Sequence, residues 1–316
     1  MLTHNTPKHP TPKWLKSWRT LVGVLFLLIA LYLLARGWHT VIHSMRIARR
    51  AHPAWLLGAL GFMISTQLIA AGIYGVLAIN KLKYLQTVLI EIAAGFVNRV
   101  LPSGLGSLGL HGAYLYKRKH TVAEATAVVS INNLLGVTAH LFLLALVAVL
   151  EPHVVRGLHM RHSVMYFTWF SGLAVVAVLL LLSTSLRPRF VQFIRNLLVS
   201  LRKVGARSVL EAFVLAVFLT SCYTAVLFCS AHAVGIHMSV LQVFIIFTVG
   251  MFSGTVVPLP GGLVGAEAGL LVGFVTYGVP TVQAGAVVLI FRLVTYWLPI
   301  VPGILALLVA RRRQII

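Results

Sequence analysis

The chain has 316 residues, of which 59% are hydrophobic and 10% charged, and its mean hydropathy is +0.95. That composition excludes a soluble globular domain and predicts a polytopic α-helical membrane protein, because runs of about 20 apolar residues recur along it. The alternating segments of about 10 residues that mark a transmembrane β-barrel are absent. The 26 Lys and Arg against five acidic residues give a net charge of +21. The basic residues cluster between apolar runs and carry no zinc-finger or aromatic RNA-binding signature, so they read as topology signals against anionic headgroups, not as a nucleic-acid surface.

In chain order, residues 1–19 form a polar tail with Lys8, Lys13, Lys16 and Arg19. A first span follows over about 20–38, read as retained because the apolar run is long and lacks a small-x-small cleavage site. A basic loop carries Arg46, Arg49 and Arg50, and a second span covers about 53–79. An apolar stretch broken near residues 102–109 covers about 85–116 and is closed by Lys117, Arg118 and Lys119. A long span covers about 125–150, residues 151–162 form an outer loop, and a further span covers about 163–184. The basic loop 185–208 precedes a span over about 209–234, a second broken stretch over about 239–278, and a last span over about 282–309 ending in Arg311, Arg312 and Arg313. The expected architecture is therefore all-α and polytopic: six plain spans and two broken hairpins, re-entrant or fully crossing. Cys222 and Cys229 lie seven residues apart on one span, about 10 Å of helical rise, too far for a disulfide.

A hairpin returns the chain to the side it left, so sidedness follows from the plain spans alone. With both termini inside, 18 basic residues fall on the inner side and six on the outer, which predicts cytoplasmic termini. The order span, span, hairpin, span then occurs twice in opposite orientation, an inverted repeat with halves at 20–150 and 163–310 and a short basic cytoplasmic tail at 311–316. Placing Pro102 on Pro258 supports the duplication. Phe96, Val100, Gly106, Gly109 and Leu115 then fall on Phe252, Val256, Gly262, Gly265 and Leu271, six identities in the 22 positions 94–115, and His111 falls on Glu267. Inverted repeats with Gly/Pro-interrupted segments in matching places point to transporters with a site at the repeat interface.

The breaks contain Pro102, Gly104 and Gly106 in the first half and Pro258, Pro260, Gly261 and Gly262 in the second. Irregular backbone survives at membrane depth only inside protein or along a watery cavity. It frees N–H groups at half-helix starts that favour anions such as phosphate. Gly109 and Gly269, by contrast, read as packing glycines. Four charges lie within apolar segments, Glu91, Arg99, Glu267 and Arg292, and intramembrane charges are functional candidates by default. Arg292 suits a phosphate or a pairing with Glu267. Glu91 and Arg99, eight apart, share a helix face without touching, and Arg99 beside Asn98 offers a second anion contact. His111 reads either as a packed polar residue or as a proton relay with Glu267. Glu124 reads as a surface residue at a helix start. His140 and His232, within spans, are weaker candidates. No metal-ligand spacing and no nucleotide-binding loop is present, so no cofactor is expected.

The segments "PLPGGLVGAEAGLL" and "IFRLVTYWLPIVPG" resemble the flippase-like family related to the transmembrane region of lysylphosphatidylglycerol synthases. The matching positions are Pro260, Gly261, Gly262, Leu263, Glu267, Arg292, Trp297 and Pro299, and Val264 stands where that family usually has Gly. "FVNRVLPSGLGSLGLHGAYLYKR" is similar to the family's first-half motif, and the resemblance covers roughly residues 15–310. It implies a bacterial cytoplasmic-membrane translocator of an anionic lipid or lipid-linked phosphate, not an enzyme, surrounded by membrane lipids and in an oligomeric state left open. Full-length synthases carry a soluble aminoacyl-transferase domain after the membrane part, for which residues up to Ile316 leave no room. The rival expectation from another class is an intramembrane lipid-modifying enzyme with His111 and Glu267 as acid–base pair. A third is a structural partner of a membrane complex.

Overall fold

The computed structural model describes residues 38–100, 105–150, 203–256 and 264–316, together with residues 195, 199 and 201. The spans expected at 20–38, apart from Trp38, and at 163–184 lie outside the described residues, as do Pro102, Gly104, Pro258, Pro260, Gly261 and Gly262.

The described elements are all helical: α1 (Trp38–Arg49), α2 (Pro53–Leu77), α3 (Tyr84–Val100), α4 (Leu105–Lys117), α5 (Val122–Leu150), α6 (Ala206–Ala233), α7 (Val240–Val256), α8 (Gly265–Thr276), α9 (Thr281–Arg292) and α10 (Ile300–Arg312). A π-helical turn over Leu293–Trp297 joins α9 to α10. Four stretches are long and apolar enough to cross a membrane: Pro53–Leu77, Val122–Leu150, Ala206–Ala233 and Thr281–Arg312. Large apolar side chains such as Leu57, Ile64, Leu85 and Val149 are exposed on these and neighbouring helices. In water such a surface would drive aggregation; against lipid tails it costs nothing. The chain is thus a multi-pass membrane protein.

Helix ends follow local chemistry. Pro53 occupies the first turn of α2, where its missing N–H is harmless. Thr121 and Glu124 form a reciprocal cap at the start of α5, with Thr121 N to Glu124 Oε2 at 3.0 Å and Glu124 N to Thr121 Oγ1 at 3.2 Å. Ser239 and Gln242 repeat that arrangement before α7. The basic stretch around Arg46–Arg50 is a correction to the sequence reading: residues 38–49 are helical, and Ser44 is buried with its hydroxyl on the Val282 carbonyl at 2.8 Å. One small polar side chain facing α9 is too weak a periodic signal to separate a short helix from a loop.

α2 packs lengthwise on α6, α3 on α10, and α7 on α8. One buried cluster joins α2, α6, α7, α8 and α9 through Met63, Leu227, Ile246, Leu270, Phe274 and Phe291. A second joins α2, α4, α5 and α6 through Ile73, Leu77, Leu115, Val128, Ile131 and Ala212.

Two glycines set the hairpin spacings. A Cβ on Gly106 would stand 2.5 Å from Val97 Cγ1 and 2.9 Å from the Val97 carbonyl, and one on Gly269 would stand 2.5 Å from Ser253 Oγ and 2.9 Å from the Val249 carbonyl. Each hairpin's second helix therefore lies directly on the first. Gly109 departs from its expected packing role. Nothing lies within 4 Å of where its Cβ would be, and it lines an open cavity of about 400 Å³ with Val97, Leu110, Ala113 and Arg311. Beyond the end of α10, Ile315 is buried and Lys117 Nζ donates to the Gln314 and Ile316 carbonyls, so the basic end is docked on α4.

Candidate functional site

Arg292 ends α9, and four residues later Tyr296 lies on the same helix face. Arg292 Nε is 2.8 Å from Glu267 Oε1, with the two side chains 13% and 29% exposed. Glu267 stands in the first turn of α8, where the positive end of the helix dipole favours a carboxylate. The contact brings the charges together without hydrogen-bond alignment. Among the described residues, Arg292 Nε and Nη2 and Glu267 Oε2 are buried and have no hydrogen-bond partner.

Arg99 reaches the same place from α3. Its Nη1 donates to the Gly95 carbonyl and its Nη2 to the Thr295 carbonyl, the latter at 2.6 Å. Pro299 explains the second bond: it has no N–H, so the carbonyl four residues earlier loses its usual helical donor. The π turn, closed by Leu298 N to the Leu293 carbonyl at 2.9 Å, adds to the local irregularity, and such turns recur at functional sites. Tyr296 OH in turn donates to the Arg99 carbonyl at 3.3 Å. The guanidinium carbons of Arg99 and Arg292 lie 5.8 and 5.9 Å from the centroid of the Tyr296 ring. Two cations therefore share one aromatic ring, and a single carboxylate, Glu267, balances them.

A second polar set is centred on His111, which is 1% exposed. Its Nε2 is 2.9 Å from Glu91 Oε1. The imidazole stacks on Tyr74 with ring centroids 4.2 Å apart and an interplanar angle of 6°. The Tyr74 hydroxyl accepts a hydrogen bond from Asn132 Nδ2 at 3.4 Å. Glu91 and Arg99 both stand on α3, so that helix carries a member of each set.

The sequence residues thus divide into two pairs. Arg292 meets Glu267 as anticipated, and Glu91 and Arg99 turn to different partners as their spacing implied. His111 meets Glu91, whereas the acid–base reading had placed it with Glu267. The repeat equates His111 with Glu267, but their partners come from different elements, α3 before one and α9 after the other. Asn98 is exposed and makes none of these contacts. Of the break residues, Gly106 is described and serves close packing. Glu124 sits in the surface cap, where Lys203 Nζ meets it at 3.1 Å. His140 Nε2 lies 2.9 Å from Thr248 Oγ1, and His232 Nδ1 lies 3.0 Å from the Phe228 carbonyl.

Sequence reasoning missed Tyr296, Thr295 and Tyr74. An aromatic residue four positions after an intramembrane Arg marks the first. A proline four after the second marks a freed carbonyl. Tyr74 has no such signal, since one tyrosine in an apolar span is indistinguishable from core.

Helices that expose apolar surface outward and hold paired charges inside define an integral membrane protein with an internal polar site. The chain matches the family described as the lysylphosphatidylglycerol synthase TM region over residues 19–303 and belongs to it. A search of curated proteins finds no significant match.

Proposed function

We propose that the protein translocates an anionic phospholipid or lipid-linked phosphate between membrane leaflets. The observation that carries this reading is the pair of guanidinium groups on the Tyr296 ring, with one carboxylate, held against Arg292, for two cations and with unsatisfied donors on Arg292. The local excess of one cation at this cluster is expensive at membrane depth unless an anion completes it, and guanidinium groups suit a phosphate's paired oxygens. Glu267 holds Arg292 until the headgroup phosphate replaces it.

Element boundaries support an internal repeat. Shifting α3 by 156 residues gives the limits of α7, and α2, α4 and α5 fall on α6, α8 and the α9–α10 stretch. Within each half the same neighbours touch: α3 with α4 as α7 with α8, and α2 with α5 as α6 with α9. α4 and α8, with 13 and 12 residues, rise only about 20 and 18 Å, short of the roughly 30 Å hydrocarbon core. That length favours re-entrant hairpins, which would gate the site alternately from each side. With the charge asymmetry, the proposal includes inverted halves at 20–150 and 163–310 and cytoplasmic termini in a bacterial inner membrane.

The test is reconstitution into phosphatidylcholine vesicles with fluorescent phosphatidylglycerol, read by reduction of the outer-leaflet dye. Wild type should move the anionic tracer well beyond protein-free vesicles. The double variant Glu267→Gln/Arg292→Gln keeps the local charge balance but lacks the phosphate contacts and should fall to background. Tyr296→Leu, which removes the shared ring, should slow movement about tenfold through two cation–π contacts of about 0.5–1 kcal/mol each. Undiminished movement in the double variant would remove Arg292 and Glu267 from the site.

A further inference from the structure

We infer that the Glu91–His111 pair is a proton site that couples one proton to each lipid phosphate moved, an inference that rests on the translocator reading. Among the described residues of the membrane-crossing segments, the charges at the interior are Arg99, Arg292, Glu267 and Glu91. With His111 neutral they cancel. With His111 protonated the interior carries one positive charge, the amount a phosphodiester monoanion neutralises. In a low-dielectric interior the balanced occupancies are favoured over the unbalanced ones. Lipid and proton therefore enter together and leave together.

The geometry fits the role. His111 is almost fully buried and stands against a carboxylate at 2.9 Å, so the added proton resides on an imidazolium whose Nε2–H donates to Glu91 Oε1. Histidine is the side chain whose ordinary titration lies near physiological pH. The groups around it come from the neighbouring helices, and α10 brings Arg311 to the cavity beside Leu110 and Ala113 of α4. α2 contributes Tyr74, stacked on the ring, and α5 contributes Asn132, which reaches the Tyr74 hydroxyl. α3 contributes Glu91 and, two turns on, Arg99. On α4 itself, Tyr114 is bonded to Thr87 at 3.0 Å and Lys117 is held at the far end by the Gln314 and Ile316 carbonyls. Glu91 is thus the one carboxylate shown against the ring, and Arg99, eight residues on along α3 or about 12 Å of rise, carries the helix on to the anion cluster. The link is electrostatic: an anion at Arg99 and Arg292 favours the protonated pair, and the protonated pair favours the anion.

The experiment uses the full chain in phosphatidylcholine vesicles containing fluorescent phosphatidylglycerol and a luminal pH dye. Electroneutral symport predicts that a gradient of about one pH unit drives about a tenfold leaflet asymmetry of the tracer. The lumen should acidify or alkalinise with the lipid, one proton per lipid, and a potassium–valinomycin potential should have no effect. Glu91→Gln, which leaves the interior one positive charge without a proton, should lose the pH-driven asymmetry and the proton flux while phosphatidylglycerol still co-purifies by native mass spectrometry; His111→Gln, which fixes the interior neutral, should lose the asymmetry, the flux and the co-purified lipid. Tracer movement indifferent to the pH gradient, or driven by the potential, would overturn the coupling and leave the translocator reading intact. No tracer movement under either gradient would overturn both. The wild-type measurement decides the matter even where a variant fails to fold.

Discussion

The Arg292–Glu267 contact makes a quantitative prediction through a double-mutant cycle. Removing one member of a buried pair costs about 3–5 kcal/mol, mostly because the other charge is left uncompensated. Here Glu267 is 29% exposed and the contact lacks hydrogen-bond alignment, so Arg292→Gln should cost nearer about 2 kcal/mol. Glu267→Gln should cost more, about 3 kcal/mol, because it leaves Arg292 and Arg99 on the same ring with no carboxylate at the cluster. The double variant removes both the attraction and the uncompensated charge, so it should cost only about 1–2 kcal/mol, a coupling of about 3–4 kcal/mol. Equilibrium unfolding in mixed micelles, titrated with dodecyl sulfate, reads all three. Additive single costs, or Arg292→Gln more damaging than Glu267→Gln, would refute the idea that one carboxylate serves two cations.

The two glycines read alike in sequence should separate by experiment. Gly269→Ala places a methyl on Ser253 and the Val249 carbonyl and should cost about 1–3 kcal/mol. Gly109→Ala enters open space and gains helix propensity, so it should be neutral or stabilising by up to about 1 kcal/mol. Equal losses in the same unfolding assay would contradict the hairpin packing. Val264, at the position where the resembling family has glycine, holds φ 69° and ψ −50°, a strained conformation for a β-branched residue. Val264→Gly should therefore stabilise by about 0.5–1 kcal/mol, the strain relieved less the added freedom of the unfolded chain; a loss of stability would show that the Val264 side chain matters more than its backbone.

Much of the fold was legible because the bilayer imposes a simple rule. Length and apolarity mark the crossing helices, and α2, α5, α6 and the α9–α10 stretch lie within a few residues of their expected limits. Proline and glycine mark the irregular places, since few other residues break a helix, so the division of each broken stretch into two helices was also readable. The scarcity of buried charge singled out Glu91, Arg99, Glu267 and Arg292, because each would be excluded from lipid without a purpose. What the sequence could not supply was partnership. Repeat alignment set His111 opposite Glu267, yet their contacts depend on which helices pack together, and α3 meets α4 at one pair while α8 meets α9 at the other. The shared Tyr296 ring, the Thr295 carbonyl offered to Arg99 and the Tyr74 stack on His111 join residues from about 40 to about 200 positions apart in the chain. Composition and periodicity act along the chain and so determine where helices run. Contacts between distant residues arise only when packing brings their helices together, and the chemistry of the interior was decided there.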